Sequence, residues 1–175
     1  MLKTCPHHLN GQDRYRDVVL ERIRAFFASI GLPCEPATLE EPTFLPGIRV
    51  ECGGLLFDAE RLAFPGDLLH EAGHLAVVPA EERRTLNGNI DRGGAEEMAA
   101  IAWSWAALVH LRLAPEVVFH PDGYRGEAAA IIENFSAGRF VGVPWLQWRG
   151  MSLEPEQAAR QGGEPFPTMR RWLCD

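Results

Sequence analysis

The chain has 175 residues, 46% of them hydrophobic, which is enough to bury the core of one globular domain. Its net charge of −7 argues against nucleic acid or an anionic membrane as the main partner. No apolar run approaches the length of a membrane span, and residues 1–30 lack the apolar centre of a signal peptide. We therefore expect a single domain over residues 1–175 and a cytoplasmic location.

The first part of the chain predicts a helix, a loop and a β-hairpin. Residues 13–30 repeat apolar side chains at helical spacing, and residues 32–47 contain four prolines typical of a loop. The runs 48–52 and 55–58 are separated by Gly53-Gly54, a spacing typical of a hairpin with a two-residue turn. Three residues of the first strand are expected on its buried face: Ile48, Val50 and Cys52.

The rest of the chain predicts mainly helix. Residues 67–78 form a largely apolar segment, with Asp67 as an expected N-cap and Pro79 just beyond its end. Residues 80–94 are polar and predict a surface loop, whereas 95–113 form a second strongly apolar helix rich in alanine. Further helical segments are expected at 125–136, 154–161 and 167–173.

The four cysteines are scattered and form no CxxC pair, which favours reduced thiols over a disulfide framework. They are Cys5, Cys34, Cys52 and Cys174. The run Cys5-Pro6-His7-His8 contains metal-binding residue types, but we interpret it as part of a terminus rather than as a metal site.

The helix predicted at 67–78 contains His70-Glu71-Ala72-Gly73-His74. Residues four apart lie on the same helical face, so the two imidazoles can bind one zinc ion. Glu71 is then placed to take a proton from a water activated by that ion. Because the helix is apolar and predicted to be buried, each of these polar side chains needs a partner.

Two glutamates at the start of the second apolar helix are candidates for a third ligand. Glu96 and Glu97 follow His74 by 22 and 23 residues, and each has an alanine three positions later. Small residues at a helix crossing let two axes approach closely, at about 8–10 Å. Gly73 costs about 1 kcal/mol of helix propensity relative to alanine, which indicates a packing role at the same crossing.

These residues carry a family resemblance. The run at 70–74, with Glu96 or Glu97 and the alanine that follows, resembles the gluzincin branch of HExxH zinc metallopeptidases. Within that branch it is most similar to small bacterial IrrE/ImmA-type and minigluzincin-like domains. The resemblance covers residues 48–108 and implies a zincin-like α+β fold, mainly helical, with a small hairpin or sheet before the motif helix.

The resemblance implies zinc as the cofactor and a role for each residue of the motif: His70 and His74 as ligands, Glu71 as general base, and Glu97 or Glu96 as third ligand. Glu97 is favoured, since it puts Trp103 where an aromatic residue often follows in the IrrE-like pattern. The chain departs from the family in one respect. Relatives carry Asp or Asn directly after the alanine, to support a ligand histidine, whereas this chain has Ala100 or Ile101 there. Asp91 and Asp67 are candidates for that support.

Peptide hydrolysis of this type also uses a group that stabilises the developing oxyanion. Tyr124, His120 and Arg125 lie in one irregular stretch and are candidates, with Tyr124 as the predicted catalytic residue. His110 is unsuited as a ligand, because it lies about 20 Å along the helix from the glutamates. The hairpin offers an edge strand to an extended peptide, although it can equally serve only to cover the motif helix.

The sequence supports a zinc-dependent peptidase that acts on a peptide or protein. By the resemblance, that substrate can be a regulatory protein. A second hypothesis is a zinc-stabilised domain that binds such a regulator with little or no hydrolysis. A third has the histidines hydrogen-bonded in a metal-free core. Metal analysis separates the third from the others, and Glu71→Gln separates the first two.

Overall fold

A computed structural model describes residues 11–90 and 93–175 of the chain, apart from the side chain of Gln12. The described residues form an α+β structure that consists mainly of helices and contains one small three-stranded sheet. The strands are β1 (Cys34–Pro36), β2 (Ile48–Glu51) and β3 (Gly54–Phe57). The helices are α1 (Gly11–Ile30), α2 (Asp67–Ala76), α3 (Ala80–Arg83), α4 (Gly94–His110), α5 (Ala128–Ser136), α6 (Val143–Trp148) and α7 (Pro155–Gln161). Single 3₁₀ turns lie at Pro115–Val117 and Tyr124–Gly126.

The predicted hairpin is present, but its turn lies one residue earlier than expected. Cys52 and Gly53 form the turn, with φ of 49° and 75°, and Gly54 pairs with Glu51 as the first residue of β3. Positive φ at both central residues is typical of a type I′ turn. A Cβ on Gly53 would lie 2.4 Å from the Arg83 carbonyl oxygen, so a glycine is needed there. The expectation that Cys52 is buried is therefore wrong, and its side chain is exposed.

A third strand lies within the segment that was predicted to be a loop. β1 pairs in parallel with β3, with Cys34 opposite Leu55, which gives the sheet order β1-β3-β2. Pro36 ends β1, a position that an edge strand tolerates. β2 is consequently the other edge strand, with Ile48 and Val50 buried and the residues between and after them exposed.

The helices α2 and α4 cross at the small residues named above. A Cβ on Gly73 would lie 2.7 Å from the carbonyl oxygen of Ala100 and 3.1 Å from its Cα. The Ser104 hydroxyl, one turn further along α4, lies 2.7 Å from the Ala100 carbonyl and 3.2 Å from that of Leu69 on α2. The packing role predicted for Gly73 is confirmed, and Ala100 is the alanine that it meets.

The N-terminal end of α2 differs from the prediction. Gly66 occupies the N-cap position, and Asp67 is the first helical residue and makes no cap hydrogen bond. A Cβ on Gly66 would lie 1.8 Å from the Val117 carbonyl oxygen, so the chain at Val117 packs directly on this end of the helix. The Asp67 carboxylate is used elsewhere, as described below.

The C-terminal end of α2 is held by distant segments. The Cys174 N–H donates to the Ala76 carbonyl at 2.8 Å, and the Arg83 guanidinium donates to the Leu75 carbonyl at 2.8 Å. These bonds satisfy carbonyls that a helix end leaves without partners. The prediction of a helix at 167–173 is wrong. The backbone of this stretch instead forms an isolated antiparallel bridge between Met169 and Ser152.

The remaining elements differ from the predictions mainly at their ends. The helix predicted at 125–136 starts at Ala128, and the loop predicted at 80–94 contains the short helix α3. The helix α6 was not predicted. The buried hydrophobic residues of α1, the sheet, α2 and α4 belong to one contiguous core that surrounds Trp103. None of the helices in the described residues is long and apolar enough to cross a membrane.

Candidate metal centre

Three side chains from two helices converge where α2 meets the first turn of α4: His70, His74 and Glu97. The Nε2 atoms of His70 and His74 lie 3.2 Å apart. One Glu97 oxygen lies 3.2 Å from His74 Nε2, and the other lies 3.6 Å from His70 Nε2. The histidine pair follows from the spacing on one helix, whereas Glu97 arrives through the close crossing at Gly73.

These separations fit a tetrahedral zinc ion. Ligand atoms at about 2.0–2.1 Å from zinc, with a tetrahedral angle between them, lie about 3.3–3.4 Å apart. The separation of the two Nε2 atoms and that between His74 Nε2 and its nearer Glu97 oxygen, both 3.2 Å, fall within about 0.2 Å of that value, and one atom from each residue lies within 4.8 Å of the others. Two imidazoles and one carboxylate are also a ligand set that catalytic zinc sites use. The three residues could therefore hold a zinc ion without a large rearrangement.

The surroundings of His70 and Glu97 favour the protonation states that bind metal. Burial, together with the neighbouring His74, lowers the pKa of His70 to about 4, so its ring is neutral at neutral pH. The hydrogen bond from His74 is the main cause that holds the pKa of Glu97 below its usual range, and the charge of Arg125 contributes. A neutral imidazole and an ionised carboxylate are the forms that coordinate a cation.

Glu71 is buried beside this group, with only 8% of its surface exposed. Burial raises the pKa of its carboxyl, and the negative charges of Asp67 and Glu97 act in the same direction. A carboxylate with a raised pKa is a better proton acceptor than an exposed one. Glu71 also lines a surface cavity next to β2, so it has contact both with the candidate metal site and with the outside of the protein.

Tyr124 reaches the same site from the segment between α4 and α5. Its ring makes an edge contact with His70, with 5.2 Å between ring centroids. Its hydroxyl is buried and has no hydrogen-bond partner among the described residues, and burial raises its pKa well above the usual value. Tyr124 and Arg125 both have positive φ, 53° and 52°, an uncommon conformation for residues with side chains. The backbone is thus turned sharply where it passes the candidate metal site.

His120, the second candidate for stabilising an oxyanion, is engaged elsewhere. Its Nε2 atom lies 2.9 Å from the Asp67 carboxylate, and both residues are buried. The ring also stacks on Phe64 at 3.7 Å between centroids. This pair joins the start of α2 to the segment that carries Tyr124. Sequence reasoning singled out Asp67 and His120 separately but did not find their contact, because 53 residues separate them.

The predicted support of a ligand histidine by Asp67 is therefore wrong, since Asp67 pairs with His120. His70 Nδ1 is buried and has no hydrogen-bond partner among the described residues. Asp91, the other candidate for that support, lies outside the described residues, as does the run Cys5-Pro6-His7-His8.

The other residues considered from the sequence lie outside the three-residue group. Glu96 is not a member of it, so the geometry favours Glu97 of the two candidates. Arg125 is exposed and close enough to Glu97 to influence its charge. His110 packs against the rings of Phe26 and Trp172 at the far end of α4, as expected for a residue that is not a ligand.

Comparison of the chain with family models, with curated proteins and with solved structures gives no significant match.

Proposed function

We propose that this protein is a zinc-dependent metallopeptidase of the gluzincin type, with a zincin-like fold. The observation that carries the proposal is the convergence of His70, His74 and Glu97, with the two Nε2 atoms 3.2 Å apart and a Glu97 oxygen 3.2 Å from His74, spacings that suit ligands of one zinc ion. Glu71, from the same helix turn, supplies the acid–base group that such a site needs for hydrolysis. The resemblance of the motif to IrrE/ImmA-type and minigluzincin-like domains agrees with this assignment.

Zinc bound by these residues would act as a Lewis acid that polarises the peptide carbonyl and makes a water molecule more acidic. The Glu71 carboxylate takes a proton from the attacking water while the new C–O bond forms. Glu71 then delivers that proton to the nitrogen of the leaving amine as the C–N bond breaks. The products are a carboxylic acid and an amine, Glu71 is ionised again, and the acid gives its proton to the amine, so that a carboxylate and an ammonium group leave.

Tyr124 is the residue that we assign to the developing oxyanion. Its hydroxyl is buried and lacks a partner among the described residues, and its raised pKa keeps it protonated and able to donate. A donor fixed in a site with little water stabilises developing charge more than the same group does in solution. The contact between the rings of Tyr124 and His70 fixes its position next to the metal ligands.

The edge strand β2 offers a place for the substrate backbone. Because the turn has two residues, Glu51 and Arg49 exchange hydrogen bonds with β3, and the polar backbone atoms of Ile48 and Val50 point away from it. The N–H of Leu55, opposite Val50, accordingly points to the other side and donates to Pro33 at 2.9 Å. Two of these outward groups are already used, since the Ile48 N–H donates to the Leu45 carbonyl at 3.1 Å and the Val50 carbonyl accepts from the Gly88 N–H at 2.9 Å. A peptide that bonds the other two, the Ile48 carbonyl and the Val50 N–H, would pass Glu71, so we propose a peptide or an exposed protein segment as the substrate.

The test uses the zinc-loaded protein and a mixture of unstructured peptides, with mass spectrometry to detect new termini. Wild-type protein is expected to cleave peptides, and Glu71→Gln is expected to lose this activity while keeping one zinc per chain. Glu35→Gln, which changes an exposed carboxylate on β1, is the matched control and should cleave normally. Equal cleavage by the wild type and Glu71→Gln would overturn the assignment of Glu71.

A separate comparison tests the third ligand. Glu97→Gln is expected to weaken zinc binding by about 10-fold or more, since it removes a charged ligand, whereas Glu96→Gln should keep the affinity. If Glu96→Gln loses zinc and Glu97→Gln does not, the ligand set is wrong.

One observation favours the alternative function, a zinc-stabilised domain that binds a regulatory protein. His70 Nδ1 has no hydrogen-bond partner among the described residues, whereas catalytic zinc ligands are usually oriented by one. Under this alternative, Glu71→Gln keeps both zinc and the full biological effect, which peptidase function does not allow.

A further inference from the structure

A surface cavity of about 220 Å³ lies between β2 and the loop that precedes it. Ile48 and Val50 of β2 line it together with Glu71 of α2. Gly88 and Asn89, which follow α3, also contribute to the lining. We call this space the strand-edge cavity. It is the place where the outside of the edge strand and the proposed general base meet.

The loop that covers the strand-edge cavity is held in one conformation. The Thr43 hydroxyl donates to the Leu45 carbonyl at 2.6 Å and accepts from the Gly47 N–H at 3.1 Å. Gly47 has φ of 76°, and a Cβ there would lie 2.5 Å from the backbone nitrogen of Leu62. The Ile48 N–H donates to the Leu45 carbonyl at 3.1 Å. A cavity that is formed before binding costs less ordering when a ligand enters.

The lining is apolar at the loop and at the strand. Pro42, Phe44 and Leu45 come from the loop and face Ile48 and Val50. Phe44 is 75% exposed, although burying an aromatic ring of this size is strongly favourable. Phe44 is not isolated but continues the apolar lining of the cavity, and a contiguous apolar surface of this kind is typical of a ligand-binding groove.

The charged groups at the strand-edge cavity do not favour a charged ligand. Arg49 is paired with Glu51 at 3.3 Å on the exposed face of β2. Glu71 is the proposed general base, so its carboxylate is used in the reaction rather than as a partner for a charged ligand. The volume exceeds the roughly 150 Å³ of an apolar cavity that binds benzene. An aliphatic or aromatic side chain therefore fits both the size and the chemistry of this space.

We propose that the strand-edge cavity is a specificity pocket for one bulky apolar side chain of the substrate, next to the peptide bond on which Glu71 acts. This inference rests on the proposed function, because it places the substrate backbone along β2. It adds a substrate class to that function: extended segments with Leu, Phe or a similar residue at one fixed position. Phe44 acts as a specificity-determining residue that covers the bound side chain.

The test measures binding separately from hydrolysis. Zinc-loaded Glu71→Gln protein is titrated with fluorescent, end-blocked hexapeptides of alanine that carry Leu, Phe, Ala, Asp or Lys at one position. The Leu and Phe peptides are expected to bind about 10-fold or more tightly than the all-alanine peptide, as burial of a large apolar side chain predicts. Adding Phe44→Ala should reduce this preference to about 3-fold or less.

Tyr15→Ala is the matched control, since Tyr15 is also an exposed aromatic residue, 57% exposed, on the distant helix α1. It should keep the preference. Zinc content and the thermal unfolding midpoint verify that each variant is folded. The proposal is overturned if all peptides bind equally, if none binds, if the Asp or Lys peptide binds most tightly, or if Phe44→Ala keeps the full preference.

The wild-type protein incubated with the same peptides separates the two proposals. If the Leu and Phe peptides bind more tightly but the wild type cleaves none of the peptides, the result supports the strand-edge cavity as an apolar binding pocket and contradicts peptidase function. Cleavage without preference for Leu or Phe supports peptidase function and contradicts the pocket.

Discussion

The substitution Gly73→Ala tests whether the helix crossing controls the metal site. An added Cβ would lie 2.7 Å from the Ala100 carbonyl oxygen, whereas ordinary contacts begin at about 3.4 Å. The axes of α2 and α4 must therefore separate by about 0.7 Å at this point, because the obstacle is backbone. Overpacking of this kind costs about 1–3 kcal/mol, and alanine regains about 1 kcal/mol of helix propensity. We expect a net loss of about 1 kcal/mol in the free energy of unfolding of the metal-free protein.

The effect on zinc should be larger, since Glu97 reaches the histidines from α4. Metal–ligand distances tolerate about 0.2 Å, so a separation of the helices should weaken zinc binding by about 10-fold or more. Competition with a chromophoric chelator measures the zinc Kd, and urea unfolding measures the stability. Gly94→Ala is the matched control, because Gly94 starts α4 and a Cβ there meets no atom within 4 Å. The reasoning is refuted if Gly73→Ala binds zinc as tightly as Gly94→Ala does.

Three further predictions follow from the same structure. Asp67→Ala leaves the buried His120 without its carboxylate partner and should lower the free energy of unfolding, measured in urea, by about 1–3 kcal/mol. Asp17→Ala, at an exposed position, is the control and should leave it unchanged, so equal urea midpoints for the two variants would contradict this reasoning. Burial raises the pKa of Cys34 to about 12, so at pH 8 only about one Cys34 thiol in 10⁴ is ionised. A thiol reagent should therefore label the exposed Cys52 long before Cys34, which peptide mapping after timed labelling measures. A free zinc concentration of 100 times the Kd should stabilise the folded protein by about 2.7 kcal/mol. Removing the metal with a chelator should therefore lower the Tm of purified, zinc-loaded protein, and an unchanged Tm would argue against a bound metal.

Much of the local architecture was predictable because it depends on spacing along one helix or hairpin. The separation of four residues between His70 and His74 places both rings on one face in any α-helix. The alternation of Ile48 and Val50 with charged residues likewise identifies the buried face of β2. Gly73 and the alanines of α4 indicated a close crossing, and the structure shows Ala100 at that crossing.

Other features depended on backbone constraints that the composition does not reveal. The turn of the hairpin is Cys52-Gly53 rather than Gly53-Gly54, since Gly53 must also lie against the backbone of Arg83. The strand β1 forms in a segment with several prolines because β3 has a free edge there. The tail at 167–173 is not helical, because its backbone groups bond to Met151, Ser152 and the ring N–H of Trp103.

By itself, the sequence determined the two-histidine helix, the presence of Glu71 beside it and two neighbouring glutamates as candidates for a third ligand. Only the tertiary structure brought Glu97 next to the two histidines, turned the Tyr124 ring onto His70, and paired Asp67 with His120. The physical reason is the range of the interactions. Helical periodicity fixes which side chains share a face over one or two turns, whereas contacts between residues far apart in the chain depend on how closely the packed backbones approach.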